Sequence, residues 1–215
     1  MHTTQAIIPD NHLRRRVDAI AVRRGSGILG LCALLLMLAI PLAAQRTEYH
    51  VDKSAKNVVK FISDAPVEDF EGVTDNIDGY LMYDGSDVTA NSTLYFEVDL
   101  RTLDTGIGLR NRHMREDYLH TDKYPYARYT GRITNVSDAG GKKNVTVKGS
   151  MDIHGVKKTL DVTGTLTSTG NGVKIKTAFP VKLTDHKIEV PKFMFLKINE
   201  VMQLEVEFQL KKVKG

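Results

Sequence analysis

The stretch Met202-Gln203-Leu204-Glu205-Val206-Glu207-Phe208-Gln209-Leu210 decides the fold. Apolar side chains stand at every second position with polar ones between them, the period of a strand with one dry face and one wet face. A helix would need its apolar residues three and four apart. The same alternation runs through Leu94, Phe96, Val98 and Leu100, through Val145, Val147, Gly149, Met151 and Ile153, and through Leu160, Val162, Gly164 and Leu166. Val173, Ile175, Phe179, Val181 and Leu183 share one more such face. Weaker strands are expected at 49–52, 58–62, 77–83 and 127–136. Between the strands lie Asp84-Gly85-Ser86, Asp138-Ala139-Gly140-Gly141, His154-Gly155 and Thr169-Gly170-Asn171-Gly172, short links rich in residues that tolerate positive φ. Such links join antiparallel neighbours. One helix is expected at 109–119, with single turns near 67–70 and 193–198.

About eight or nine antiparallel strands without an internal repeat build either a sandwich or a closed barrel. Glycines favour the barrel. Gly131, Gly149 and Gly164 each fall mid-strand on the apolar face, where a glycine marks a bend or a close approach. They fit two readings: they empty part of the interior, or they only relieve curvature. A barrel of about eight strands holds one small ligand if its own side chains do not fill it.

The first 44 residues read as a secretory signal peptide. Arg14, Arg15, Arg16, Arg23 and Arg24 precede an apolar run from Ile28 to Ile40; Pro41 ends it, and cleavage is expected after Ala44. That run is shorter than the roughly 20 residues of a membrane-spanning helix. Its removal takes away Cys32, the only cysteine, so disulfide, thiol and cysteine-metal chemistry are not expected of the mature chain. It also takes five of the 30 basic and two of the 26 acidic residues, leaving 25 against 24. A near-neutral body does not call for nucleic acid as a partner. The expected location is the periplasm or the cell exterior. The sequence leaves open a pairing of two copies into a homodimer.

Two segments carry a family resemblance. Arg112-His113-Met114-Arg115-Glu116-Asp117-Tyr118-Leu119, followed by Lys123-Tyr124-Pro125, resembles the signature loop of the YceI-like family. Gly149-Ser150-Met151-Asp152-Ile153-His154-Gly155-Val156-Lys157-Lys158 resembles its strand–turn–strand. Leu103-Asp104-Thr105-Gly106 and Tyr49-His50-Val51-Asp52-Lys53 follow the same pattern, in the same order. The resemblance implies an all-β, lipocalin-like antiparallel barrel over residues 45–215, usually exported. It further implies binding of a polyisoprenoid or similar long-chain amphiphile, with neither cofactor nor catalysis. Asp185-His186-Lys187-Ile188-Glu189-Val190-Pro191 and Lys197-Ile198-Asn199-Glu200 depart from the family's longer hairpin at this point.

The expected inner face consists of Leu94, Phe96, Val98, Tyr129, Ile133, Val147, Met151, Leu160, Val162, Ile175, Phe179, Leu204, Val206 and Phe208, each able to serve as core or as ligand contact. Burying ten methylenes at ~0.8 kcal/mol each yields ~8 kcal/mol, micromolar binding before the cost of ordering the guest. Arg110, Arg112, His113 and Arg115 could cap a cavity mouth and hold an anionic head group, or could pair with Glu116 and Asp117 in solvent. His113, Asp117 and His120 would share a helical face at metal-ligand spacing, but a closed site needs a fourth ligand, with His154 or His186 as guesses. Surface histidines are the plainer reading, and no metal is assigned. The chain carries no His-Glu-x-x-His, no Gly-x-Ser-x-Gly and no phosphate-binding glycine loop, and its carboxylates fall on wet strand faces. The expected function is carriage of a long apolar lipid. The alternatives are a barrel filled by its own side chains that binds a partner or serves a structural role, and an enzyme or metal site at 112–120.

Overall fold

A computed structural model describes residues 45–64, 69–193 and 196–213, with the side chains of 192–197 left aside. The expected leader, 1–44, lies outside these residues. Residues 44–215 form a compact unit of their own.

The strands are β1 Arg46–Val51, β2 Val58–Ser63, β3 Phe70–Thr74, β4 Ile77–Asp84, β5 Thr93–Asp99, β6 Tyr126–Ala139, β7 Lys142–Ile153, β8 Val156–Thr169, β9 Gly172–Lys182, the two-residue pair β10 Lys192–Phe193 and β11 Leu196–Lys197, and β12 Val201–Lys212. Eight of them form a ring in the order β1-β4-β5-β6-β7-β8-β9-β12, and β12 returns to β1 through Val51 opposite Leu210. Of the two architectures that the alternation and turn chemistry leave open, sandwich and barrel, this is the closed antiparallel barrel. It leaves no free edge around its circumference.

One strand pair is longer than the sequence shows. β2 continues along the same edge of β12, from Val58 opposite Glu207 to Ser63 opposite Met202, and β3 pairs with β2 as β4 pairs with β1. The two hairpin segments are one broken hairpin. Its break at 52–57 is built from side-chain bonds: Ser54 donates its N–H and hydroxyl to Asp52 Oδ1 at 3.0 and 2.7 Å. Asn57 donates to the Asp52 carbonyl at 3.0 Å and accepts from the Gln209 N–H at 3.1 Å, replacing a missing rung of the ladder. β3 escapes periodicity because Phe70-Glu71-Gly72-Val73-Thr74 is short and carries a glycine that makes room for the Phe61 ring.

The barrel's two ends differ. At the end of the β6–β7 and β8–β9 turns, Leu81, Leu94, Ile133, Leu166 and Leu210 pack into a buried cluster, with the Tyr49 and Tyr83 rings stacked at 6.1 Å. The β5–β6 crossover covers part of the other end. It begins with a 3-10 turn, Leu100–Thr102, whose Arg101 N–H donates to the Asp99 carboxylate. It continues through helix α1, Gly108–His113, into a π-helical turn, Met114–Tyr118. The expected helix at 109–119 is therefore real, but it changes pitch at its centre. Asn111 pins the crossover by accepting from Thr105 N–H and Oγ1 at 2.8 and 2.7 Å and donating to Asp104 at 2.7 Å. The turn expected near 193–198 is instead the short β10–β11 pair, a two-residue ladder that six residues of sequence cannot distinguish from a turn. Of the turn expected near 67–70, residues 67 and 68 lie outside the described residues and Phe70 opens β3.

Candidate binding cavity

The inner faces of these strands enclose a cavity of about 620 Å³, within the range of small-molecule sites. Forty of the described residues line it, and only Lys60, Arg110, His113, Tyr118, Tyr129 and Thr177 among them carry polar side-chain atoms. Two of those hydroxyls are turned into the barrel's own backbone. Tyr129 donates to the Leu160 carbonyl at 2.8 Å, with the Val147 carbonyl at 3.4 Å, and Thr177 donates to the Thr163 carbonyl at 2.7 Å. Burial, with a smaller push from the Asp161 carboxylate, raises the Tyr129 phenol to about 12, so it remains a donor at any physiological pH. The wall between the two ends therefore presents rings and aliphatic groups. An aqueous guest would find few partners there, whereas a hydrocarbon would meet close-packed apolar contacts.

Exposure locates the opening. Of the lining residues, only Ile107, Leu109 and His113 are exposed, and all three belong to α1 or its approach. Beside them Arg110 lies over the Phe70 ring, 4.6 Å from its centroid, and directs Nε and Nη2 to the hydroxyl and carbonyl of Thr105 at 3.0 and 2.9 Å. Two of its five donors are used in this way, and its fork is held against the mouth. Lys60, also on the wall, is bound to Glu205 at 3.0 Å and Glu71 at 3.5 Å.

The structure brings thirteen of the fourteen expected inner-face residues onto the cavity wall. Leu160 is the exception. It sits half-buried in a second apolar cluster around Met151, Ile153, Val181 and Ile188, and its carbonyl rather than its side chain serves the cavity by anchoring Tyr129. The glycines do not act as one group. Gly131 and Gly149 face each other across β6 and β7 and do not line the cavity. A Cβ on Gly149 would meet the Thr130 carbonyl at 2.4 Å and the Tyr129 ring at 2.7 Å; one on Gly131 would meet the Lys148 carbonyl at 2.8 Å. Their missing side chains make room for Tyr129 and for close strand approach, not for a guest. Gly164 does line the cavity, yet a Cβ there would sit 2.9 Å from the Lys176 carbonyl.

Of the expected head-group residues, His113 reaches the mouth, while Arg112 is exposed and off the wall. Arg115 turns inward, donating Nη2 to the Leu103 carbonyl at 2.6 Å, and ties the crossover down. Of the four residues expected at the mouth, Arg110 and His113 are on the wall, and Arg112 is not, because a short helix points residues two apart in opposite directions. The geometry does not gather His113, Asp117 and His120 into a ligand set: among the described residues no three metal-ligating side chains converge. His120 instead pairs with His154, Nδ1 to Nε2 at 2.8 Å, while His154 Nδ1 donates to the His186 carbonyl at 3.3 Å and His186 Nδ1 donates to the Val156 carbonyl at 2.9 Å. The carbonyl acceptors fix the tautomers, so neutral His154 accepts at Nε2 from His120. Burial first, then neighbouring His120, lowers the pKa of His154 below its ordinary value. Wall residues from the crossovers, among them Ile107, Leu109, Met114 and Ile188, escape period-two reading because they lie outside strands.

Comparison with known proteins agrees with this architecture. The family model described as the YceI-like domain matches residues 49–210. A UPF0312 protein of Vibrio vulnificus is 31% identical over 140 residues, covering 64% of this chain and 72% of that protein. One from Vibrio cholerae is 31% identical over 130 residues, covering 59% and 67%. Among solved structures, BcnA of Burkholderia cenocepacia superposes with a TM-score of 0.62 at 19% identity, covering 74% of this chain and 98% of that one. A polyisoprenoid binding domain from Saccharophagus degradans, implicated in plant cell wall breakdown, superposes at 0.60 with 15% identity, covering 79% and 100%. At such identities these two likenesses concern the fold.

Proposed function

The chain belongs to the YceI-like family, and from that premise we propose that it binds the tail of a long apolar lipid inside the barrel and carries it through water. One observation supports this above the others: a 620 Å³ cavity with an almost wholly apolar lining, whose Tyr129 and Thr177 hydroxyls are committed to backbone carbonyls. The name of the Saccharophagus domain points the same way. A polyisoprenoid or isoprenoid quinone supplies the tail. Burial at ~0.8 kcal/mol per methylene is enough to hold it, and no covalent step is needed. The head group lies at the mouth beside Arg110 and His113, where a phosphate or quinone oxygen would find the remaining guanidinium donors. A barrel plugged by its own side chains would not leave this volume, which favours the carrier over a filled barrel.

Export belongs to the same proposal, since a lipid needs a carrier in the aqueous space between membranes. It rests on the basic lead, the apolar run and the small residues before Gln45. N-terminal sequencing of protein taken from the periplasmic fraction should begin at Gln45; intact protein confined to the cytoplasm would refute it.

Native mass spectrometry of the purified barrel, before and after solvent extraction, tests the carriage itself. The expected result is a heavier species that loses a discrete apolar mass, and an extracted protein that takes up geranylgeraniol. An unchanged mass together with no uptake would overturn the proposal.

A further inference from the structure

The residues that open the cavity also form an apolar patch on the outside. Among the described residues only three large hydrophobic side chains are exposed: Ile107 at 48%, Leu109 at 56% and Val213 at 41%. Ile107 precedes α1 and Leu109 stands in its first turn, and both also line the cavity. The apolar wall therefore runs continuously from the interior, through the mouth, into solvent. Side chains this exposed add little to the stability of the isolated protein, and an apolar patch beside a mouth marks a surface that meets something apolar.

Charge identifies what it meets. α1 has no acidic residue, and Arg110, Arg112 and His113 lie in its last turn, with exposed Glu116 and Asp117 following in the π-helical turn on the side away from Ile107 in sequence. Cations at a helix C-terminus are locally favourable, but Arg112 makes no ion pair among the described residues and stands exposed beside the patch. Apolar side chains flanked by arginines match the interface of a bilayer, where the chains enter the acyl boundary and the guanidinium groups meet phosphates. A protein partner would need area and shape that two side chains do not offer.

We propose that the Ile107–His113 rim docks on the surface of an anionic phospholipid bilayer, so that the mouth opens against the membrane and the guest passes between the two without crossing water. This rests on the carrier reading, and it adds a surface and a partner to it. Transfer would then occur by contact, at a rate that rises with vesicle concentration and vesicle charge.

The test uses the ligand-free barrel, residues 45–215, and vesicles of phosphatidylcholine alone or mixed with phosphatidylglycerol. In flotation, the wild-type protein should rise with the mixed vesicles and stay behind with the neutral ones, and salt should release it. Arg112→Glu removes one positive charge and adds a negative one. At about 1 kcal/mol per charge near the surface it should weaken association roughly ten- to thirty-fold. Because Arg112 lies off the cavity wall, this variant should still take up geranylgeraniol from solution. The double variant Ile107→Ser, Leu109→Ser should lose flotation as well, with its unfolding midpoint close to wild type because both side chains are already exposed.

Equal flotation with both vesicle types, or with neither, would overturn the docking surface. So would a patch that instead buries itself in a second copy, seen as concentration-dependent dimers that the double variant abolishes. The two readings fail separately. Uptake without flotation removes the docking surface and keeps the carrier; flotation without uptake does the reverse.

Discussion

A β-carbon at Gly149 would lie 2.4 Å from the Thr130 carbonyl oxygen and 2.7 Å from the Tyr129 ring. Neither neighbour can yield cheaply, since one is ladder backbone and the other is held by its hydroxyl at the Leu160 carbonyl, 2.8 Å away. Gly149→Ala should therefore destabilise the barrel by about 1–3 kcal/mol, the usual cost of overpacking. A urea unfolding curve with a lower midpoint and an unchanged slope would show it. The same variant should still take up lipid, because Gly149 is not on the wall. A glycine that made the cavity would behave in the opposite way, losing uptake while keeping its stability. Tyr129→Phe tests the other side of this contact. It leaves the Leu160 carbonyl without its donor and should lower stability by about 1 kcal/mol, or roughly 2–4 °C in midpoint for a barrel of this size. Alternation puts Gly149 and Tyr129 on the same face. Which of the two takes up the space depends on a diagonal contact between strands, and alternation along a single strand does not encode it.

At the scale of elements, strands were legible and crossovers were not. Every strand with at least three alternating apolar residues appears where its pattern puts it, since the burial that stabilises it also writes the pattern. The β5–β6 crossover follows another logic: its residues are fixed by Asn111, Arg115 and the cap at Asp99, and polar contacts of that kind leave no period. The β7–β8 turn is the place where the crossover is held to the barrel. His154 (φ 54°) and Gly155 (φ 71°) form a hairpin turn with both φ positive, and His120 and the edge of Tyr124 close on the imidazole. Because the folded protein lowers the pKa of His154, the unfolded chain takes up the proton first as pH falls. Stability is thus complete above the ordinary histidine value of about 6.5 and declines as pH drops through the folded value, then levels off. The depressed carboxylates Asp52, Asp87, Asp99 and Asp104 lose their contributions only below their own, lower range. Thermal midpoints between about pH 7.5 and pH 5 thus sample histidine titration apart from these carboxylates. His154→Asn keeps a side chain suited to positive φ ahead of Gly155 and removes the titrating group, so its midpoint should change less over that interval than the wild type's. An equal fall in both proteins would assign the pH response to another residue.

For the whole molecule, the volume left inside the ring has a thermodynamic consequence. A packed interior gains dispersion contacts at every surface, and a wall around an apolar void forgoes them. The empty barrel is therefore less stable than its strand pairing alone would make it, and a guest that fills the void returns the missing contacts to the folded state only. At a free concentration one hundred times its dissociation constant, such a ligand adds about 2.7 kcal/mol, which is roughly 5–11 °C in midpoint at this size. Val206 offers a way to separate filling from recognition. It lies on the wall, opposite Val59 on β2 and Thr177 on β9, where its side chain is half-buried rather than packed on every side. Val206→Trp puts an indole into the space meant for a tail. The variant should keep or raise the midpoint of the ligand-free barrel, and it should lose most of the rise that geranylgeraniol gives the wild type, with uptake at least about ten-fold weaker. A variant that lost its own stability without losing the lipid-dependent rise would place the guest elsewhere. The interior would then be a structural void, and the lipid would have to sit on the outer surface of the barrel.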